Sequence, residues 1–304
     1  MTVLFYFFGG GFIGNLFAAD IQFISTWAQA MPNVVIVCPQ YSLCPFPYPR
    51  ALNECETAYN AVMNGGALGF VPKHCVLSGQ SAGGNLAAAL TIRRVQYSQR
   101  EHTTDTTEHE TDPTVPGTAK TTTTPPRKSR EGSGRPPRPP ASSPTSPTAA
   151  AGAAGTGTAG TAGSSAPIKI KGLVMWYPTL NMSQAPSPSR VLFVSDVLLP
   201  LPLTNAAAQN YCPTLADAFD PCCSPVFADD DTLSRFPQTF IMAAGLDPLL
   251  DDSVDFHTRL TRNNTPAKLK IWRGLPHGFL GMELVNSEAA SALSGSLDAL
   301  KEIV

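Results

Sequence analysis

The sequence predicts an α/β fold built on a mostly parallel sheet. Short apolar runs alternate with longer segments of helical spacing along the chain. Several of those runs end in glycine or proline, as strands do. Apolar residues make up 43% of the 304 and charged residues only 14%, enough for a sizeable core.

Val3 to Phe8 is an aromatic, apolar run that stops at glycines, hence a buried strand. Phe17 to Gln29 is expected to be helical. Asn33 to Cys38 reads as a second buried strand, closed by Pro39. From Pro49 to Met63 the residues Leu52, Cys55, Tyr59 and Val62 fall on one stripe, the spacing of a helix. His74 to Ser78 reads as a third strand. Gly84 to Val95 reads as a helix, buried because Leu86 to Leu90 is apolar all round. The alternation resumes with strands at Ile170 to Trp176, Thr239 to Ala244 and Leu269 to Trp272. Helices are expected from Asp251 to Arg262 and from Ser287 to Val304. In such a sheet ligands bind at the carboxyl ends of the strands.

The composition breaks near residue 98 and recovers near 167. Between lie Thr121 to Thr124, the run Arg135-Pro136-Pro137-Arg138-Pro139-Pro140, and an Ala/Gly/Thr tract from Ala149 to Ser165. With almost no large apolar residues, residues 98–166 cannot offset their ordering entropy and are expected to be disordered. The motifs on both sides belong together, so the chain is expected to be one domain, 1–304, carrying this insert. Arg127-Lys128-Ser129-Arg130 offers a kinase site and the proline run an SH3-type ligand; a solvated linker explains both equally well.

A net charge of −2 and a pI near 6.2 give no reason to expect a nucleic-acid partner. The seven cysteines form no CxxC pair and no zinc-like cluster, so neither metal nor cofactor is expected. Scattered cysteines of this kind fit small buried apolar residues in a reducing compartment, and the chain reads as cytoplasmic. Met1 to Ala19 lacks the basic region a secretory signal needs and reads better as a strand running into a glycine turn. Gly9, Gly11 and Gly14 match a dinucleotide-binding spacing. The next strand lacks its acidic end residue, with Gln40 and Tyr41 there instead, which discounts the match.

Gly79-Gln80-Ser81-Ala82-Gly83 is a G-x-S-x-G between a predicted strand and a predicted helix. A serine on so tight a turn requires small neighbours, and the helix that starts there turns its positive end toward developing negative charge. Gly9-Gly10-Gly11 after the first strand lets backbone N–H groups reach a substrate oxygen. Such a serine needs an acid and then a histidine, in that chain order. Asp247 ends a predicted strand and His277 follows the last one. Asp251 and Asp252 rival Asp247 but fall in a helix's first turn. His102 and His109 lie in the insert, His74 at the wrong end of a strand, and His257 mid-helix.

These motifs in this order resemble the hormone-sensitive lipase group of α/β-hydrolases. Tyr41 to Leu52, Gly83 to Leu86, Pro186 to Arg190, Asp196 to Pro200, Leu246 to Ser253 and Leu275 to Leu280 carry the resemblance, which spans residues 3–97 and 168–282. It implies catalysis by Ser81, Asp247 and His277, with Gly9, Gly10 and Ala82 as oxyanion donors. It also implies hydrolysis of acylglycerols or other lipid esters without a cofactor, in the cytoplasm or at a lipid-droplet surface. Phe8 stands where the group has histidine, and Gln80 where it usually has aspartate. The group carries two earlier strands and a helical cap, so the chain is expected to be N-terminally incomplete or unusually minimal. The group's phosphorylated regulatory segment, near 213–236 here, is expected to be largely absent. Two rivals stay open: a short-chain esterase or amidase on the same fold, and a non-catalytic small-molecule-binding protein.

Overall fold

A computed structural model describes residues 1–15, 18–107, 170–196 and 198–304. These belong to one unit, Met1–Thr107 with Ala166–Val304; a second unit, Glu108–Ser165, lies outside the described residues. The expected insert from 108 onward, with its kinase and proline motifs, therefore also lies outside them.

Six strands are described: β1 (Thr2–Phe7), β2 (Val34–Val37), β3 (His74–Gln80), β4 (Ile170–Trp176), β5 (Gln238–Leu246) and β6 (Ala267–Pro276). They form one sheet in the order β2-β1-β3-β4-β5-β6, and every neighbouring pair is parallel. All six coincide with apolar runs read from the sequence. The chain runs outward from β1 to β2 and then returns past β1 to β3. The carboxyl ends of β1 and β3 thus flank the point where strand order reverses, the usual ligand site of such sheets. β1 and β3 pair residue by residue from Thr2↔His74 to Phe7↔Gly79.

Helices are α1 (Ala18–Ala30), α2 (Arg50–Met63), α3 (Ala82–Thr107), α4 (Pro188–Leu192), α5 (Leu201–Tyr211), α6 (Leu215–Phe219), α7 (Asp230–Ser234), α8 (Leu250–Arg262) and α9 (Ser287–Ile303). Strand alternation decides which face each covers. On β1, Phe5 stacks with Phe7 and meets Tyr59 of α2, whereas Tyr6 turns to Phe23 and Trp27 of α1. Trp176 of β4 lies on the α1 side, against Trp27, and donates to Ser296 of α9 at 2.6 Å. Helices α1 and α9 therefore cover one face of the sheet, and α2 the other, where it packs on α3. The β1 aromatics are all buried, as a strand inside a doubly covered parallel sheet requires.

Two differences from the sequence reading stand out. Helix α3 continues to Thr107, past Val95 and past the expected start of the insert at 98. Residues 96–107 contain neither glycine nor proline, so the loss of apolar residues there does not end the helix. Helices α4 to α7, between β4 and β5, were not read at all. Their start signals are present: Ser187 accepts from the Arg190 amide ahead of a proline in the first turn, and Thr214 with Asp217 forms a capping box. The cysteines also differ from the reading as unpaired residues. Cys212, after α5, is bonded to Cys223, a pairing that no spacing motif announces. Cys38, Cys44, Cys55, Cys75 and Cys222 are free.

Candidate active site

Ser81 sits between β3 and α3 with φ at 52°, in the left-handed region that costs a non-glycine residue of order 1–3 kcal/mol. Its surroundings hold it there. The Ser81 amide donates to the Trp176 carbonyl at 2.9 Å, and the Ser81 carbonyl accepts from Asn85 and Thr179. Asn85 of α3 donates its side-chain amide to the carbonyls of Thr179 and Cys223, tying the helix start to the loop after β4. Gly83 is a steric necessity: a Cβ there would lie 2.0 Å from the Phe7 carbonyl oxygen, so only glycine lets α3 meet β1.

His277 and Asp247 converge on this serine from the ends of β6 and β5. His277 Nε2 is 2.9 Å from Ser81 Oγ, and His277 Nδ1 is 2.8 Å from Asp247 Oδ2. Asp247 is buried, and its second oxygen accepts the Leu249 amide at 2.8 Å. With Oδ2 facing Nδ1, the imidazole carries its proton on Nδ1 and leaves Nε2 as an acceptor for the serine hydroxyl. The three side chains named from the sequence are thus brought into one hydrogen-bonded series.

The rival carboxylates go elsewhere. Asp251 accepts the Ser189 amide at 2.7 Å. Asp252 does not serve its own helix end, as its sequence position suggested. It accepts the amides of Leu180 and Asn181 and pairs with Arg190 at 3.1 Å, both side chains buried. Burial pushes the Asp252 carboxyl up to about 7 against the pull of Arg190. Arg190 also donates to the carbonyls of Ala185 and Asn181, each at 2.8 Å. Arg190→Ala leaves that carboxylate buried without its cation and is expected to cost about 3–5 kcal/mol in denaturant unfolding.

The glycine loop after β1 lies against the serine turn. A Cβ on Gly9 would be 3.3 Å from that of Ser81, and Gly10 takes a φ of 115° while its carbonyl accepts the amides of Ile13 and Gly14. Ala82 opens α3, so its amide has no acceptor within the helix. Phe8, in place of the group's histidine, roots the loop: its ring stacks on Tyr41 at 4.2 Å, and Tyr41 donates its hydroxyl to the Phe8 carbonyl at 2.7 Å. Gln80 has its own role. It donates to Asp20 and accepts from Tyr177, while Tyr6 donates to Asp20 at 2.6 Å. Burial raises both phenols far above their usual range, so they stay protonated donors. Tyr177 packs its ring on His277, with centroids 4.8 Å apart. Asp20, Tyr6 and Tyr177 were missed in the sequence because no local motif links them; only the strand-end position of Tyr177 hinted at the site. Among the described residues no cluster of His, Cys, Asp and Glu is placed to hold a metal ion.

A model of the alpha/beta hydrolase fold matches residues 4–131 and 150–281. The chain belongs to the alpha/beta hydrolase fold family. Within this family it is similar to hormone-sensitive lipase of Homo sapiens, 36% identical over 101 residues that make up 33% of this chain and 9% of that protein. The chain therefore spans about a tenth of the lipases it matches, and the likeness reaches the hormone-sensitive-lipase-like esterases without singling out one member. An esterase of Acinetobacter venetianus is 22% identical over 96% of this chain and 72% of its own length. Among solved structures, carboxyl esterase 2 of Tuber melanosporum covers 99% of this chain and 78% of that one, with a TM-score of 0.72 at 19% identity. The Pyrobaculum calidifontis esterase covers 99% of this chain and 74% of that one, with a TM-score of 0.69 at 22% identity. These two likenesses concern the fold. Among the described residues no helix is long and apolar enough to cross a membrane.

Proposed function

We propose that the chain hydrolyses carboxylic esters through an acyl-enzyme on Ser81. The observation that carries this reading is the unbroken series Ser81–His277–Asp247, with both hydrogen bonds under 3 Å. The ester carbonyl oxygen faces the amides of Gly9, Gly10 and Ala82, whose fixed N–H groups favour the charge that develops there. Ser81 Oγ attacks the carbonyl carbon while His277 Nε2 takes its proton. The imidazolium returns that proton to the alcohol oxygen as the C–O bond breaks. Water then adds to the acyl-enzyme by the same route in reverse, releasing the acid and freeing Ser81. Asp247 holds the tautomer and stabilises the imidazolium.

The likeness to hormone-sensitive lipase and the apolar cavity beside Ser81 favour esters with a large apolar part, lipid esters among them. Action on such esters at a lipid-droplet surface in the cytoplasm is part of the same proposal. The test is hydrolysis of p-nitrophenyl butyrate by the purified chain beside Ser81→Ala. Turnover that disappears in the variant is the expected result. Equal rates in both proteins, or no turnover by folded parent protein, would overturn it.

A further inference from the structure

Ser81 has a strained neighbour. Gln80 of β3 stands opposite Trp176 of β4, and the next residue on each strand, Ser81 and Tyr177, turns to a positive φ, 52° and 35°. For a bulky side chain that conformation is an outlier, and glycine would adopt it freely. A tyrosine in that place points to a use for its side chain. The backbone binds the two residues together. The Ser81 amide donates to the Trp176 carbonyl at 2.9 Å, and the Thr179 amide to the Ser81 carbonyl at 3.2 Å. The Tyr177 amide donates to the Met242 carbonyl of β5 at 2.8 Å. Tyr177 thus stands between the strand that leads to Ser81 and the strand that leads to Asp247.

Its buried side chain reaches two parts of the site at once. The ring lies against the His277 imidazole, with centroids 4.8 Å apart and planes at 60°, and is braced by Phe279, also at 4.8 Å. The hydroxyl donates to Gln80, the residue before Ser81. Gln80 donates in turn to Asp20, which also accepts from Tyr6 of β1. One side chain therefore touches the base and is tied to the turn that carries the nucleophile. Asp247 fixes only the Nδ1 edge of the imidazole. Nε2 must meet Ser81 Oγ and then the leaving oxygen, so the plane of the imidazole has to be held as well. Resting on the proposed ester hydrolysis, we infer that Tyr177 is a positioning residue that sets the His277 imidazole against the serine turn. Its ring acts on the base, and its hydroxyl acts on the turn through Gln80.

Tyr177→Phe keeps the ring and removes the link to Gln80; Tyr177→Leu removes both. Rates on p-nitrophenyl butyrate are counted per active serine, titrated with a fluorophosphonate. Tyr177→Phe is expected to lower kcat by ~10-fold, about the worth of one hydrogen bond. Tyr177→Leu is expected to lower it by ~100-fold, the cost of a misplacement of about 1 Å. KM should change by less than ~3-fold in both. A role in packing alone would lower the melting temperature and the titrated fraction but leave kcat per serine unchanged, which would overturn the assignment. A raised KM with kcat retained, the mark of a mere cavity wall, would overturn it too. The deciding arm adds Tyr177→Leu to Asp247→Asn, in which the imidazole is already misdirected. The ring then has little left to align, and the further loss is expected to stay below ~3-fold. A further loss of the full ~100-fold would mean that the ring acts independently of the imidazole, contrary to the assignment. Each of these adverse outcomes leaves the ester-hydrolase reading standing. If folded parent protein turns over no ester, that reading fails and the role of Tyr177 fails with it.

Discussion

His277→Ala is expected to lower kcat on p-nitrophenyl butyrate by about 10⁶-fold, and adding Ser81→Ala to lower it no further. The reason is mutual dependence. The serine hydroxyl is a poor nucleophile until Nε2, 2.9 Å away, accepts its proton, and the imidazole has no task without that hydroxyl. Two residues acting as one unit give single losses nearly as large as the double loss. The glycine loop is untouched by either change, so a small residual rate above that of water is expected from polarisation of the carbonyl. Single and double variants assayed side by side give the answer. Losses that multiply would mean that Ser81 and His277 serve separate steps, contrary to the proposal.

Asp247→Asn and Asp252→Asn are expected to part company. Asp247→Asn turns a carboxylate facing Nδ1 into a group that favours the wrong tautomer, and kcat should fall about 10⁴-fold with the fold retained. Asp252→Asn removes the charge that pairs with buried Arg190, and the loss should appear in stability, at about 3–5 kcal/mol. Its kcat should stay within about tenfold, since Asp252 faces the backbone of Leu180 and Asn181 and not His277. Thermal melts and steady-state kinetics on the two variants separate these outcomes. A catalytic defect as deep in Asp252→Asn as in Asp247→Asn would mean that the wrong carboxylate has been assigned.

The inner sheet was legible in the sequence because a doubly covered parallel strand must be apolar on both faces, as Val3 to Phe7 is, whereas Val34 to Val37, read as a buried strand, lies at the sheet edge and is only half-buried. Ser81, Asp247 and His277 were legible because the turn chemistry of G-x-S-x-G and the order of its partners along a wound sheet are strict. The region from Pro186 to Arg235 was not legible. Its helices are short, so their apolar positions repeat too seldom to show a clear period, and only single residues, Ser187, Pro202, Thr214 and Asp229, mark their starts. That region supplies Leu199 and Ala207, which line the cavities beside Ser81, so the shape of the pocket was hidden where the hydrogen-bonded series Ser81–His277–Asp247 was not. The Tyr6–Asp20–Gln80–Tyr177 network was hidden for another reason: it joins residues from four separate segments by hydrogen bonds that no local spacing encodes.

The pairing of Phe7 with Gly79 sets a common datum for the whole site. Gly9 and Ser81 each stand two residues beyond that rung, so the glycine loop and the serine turn leave the sheet level with each other. A slip of one residue between β1 and β3 would displace Gly9 by about 3.3 Å along the strand, where reacting groups tolerate roughly 0.5 Å. What prevents the slip is aromatic packing, Phe5 and Phe7 gripping one side of β1 and Tyr6 the other. The alignment of the two loops is thus inherited from the core, so truncating one of those rings is expected to cost both stability, about 3–5 kcal/mol, and the fit between the loops.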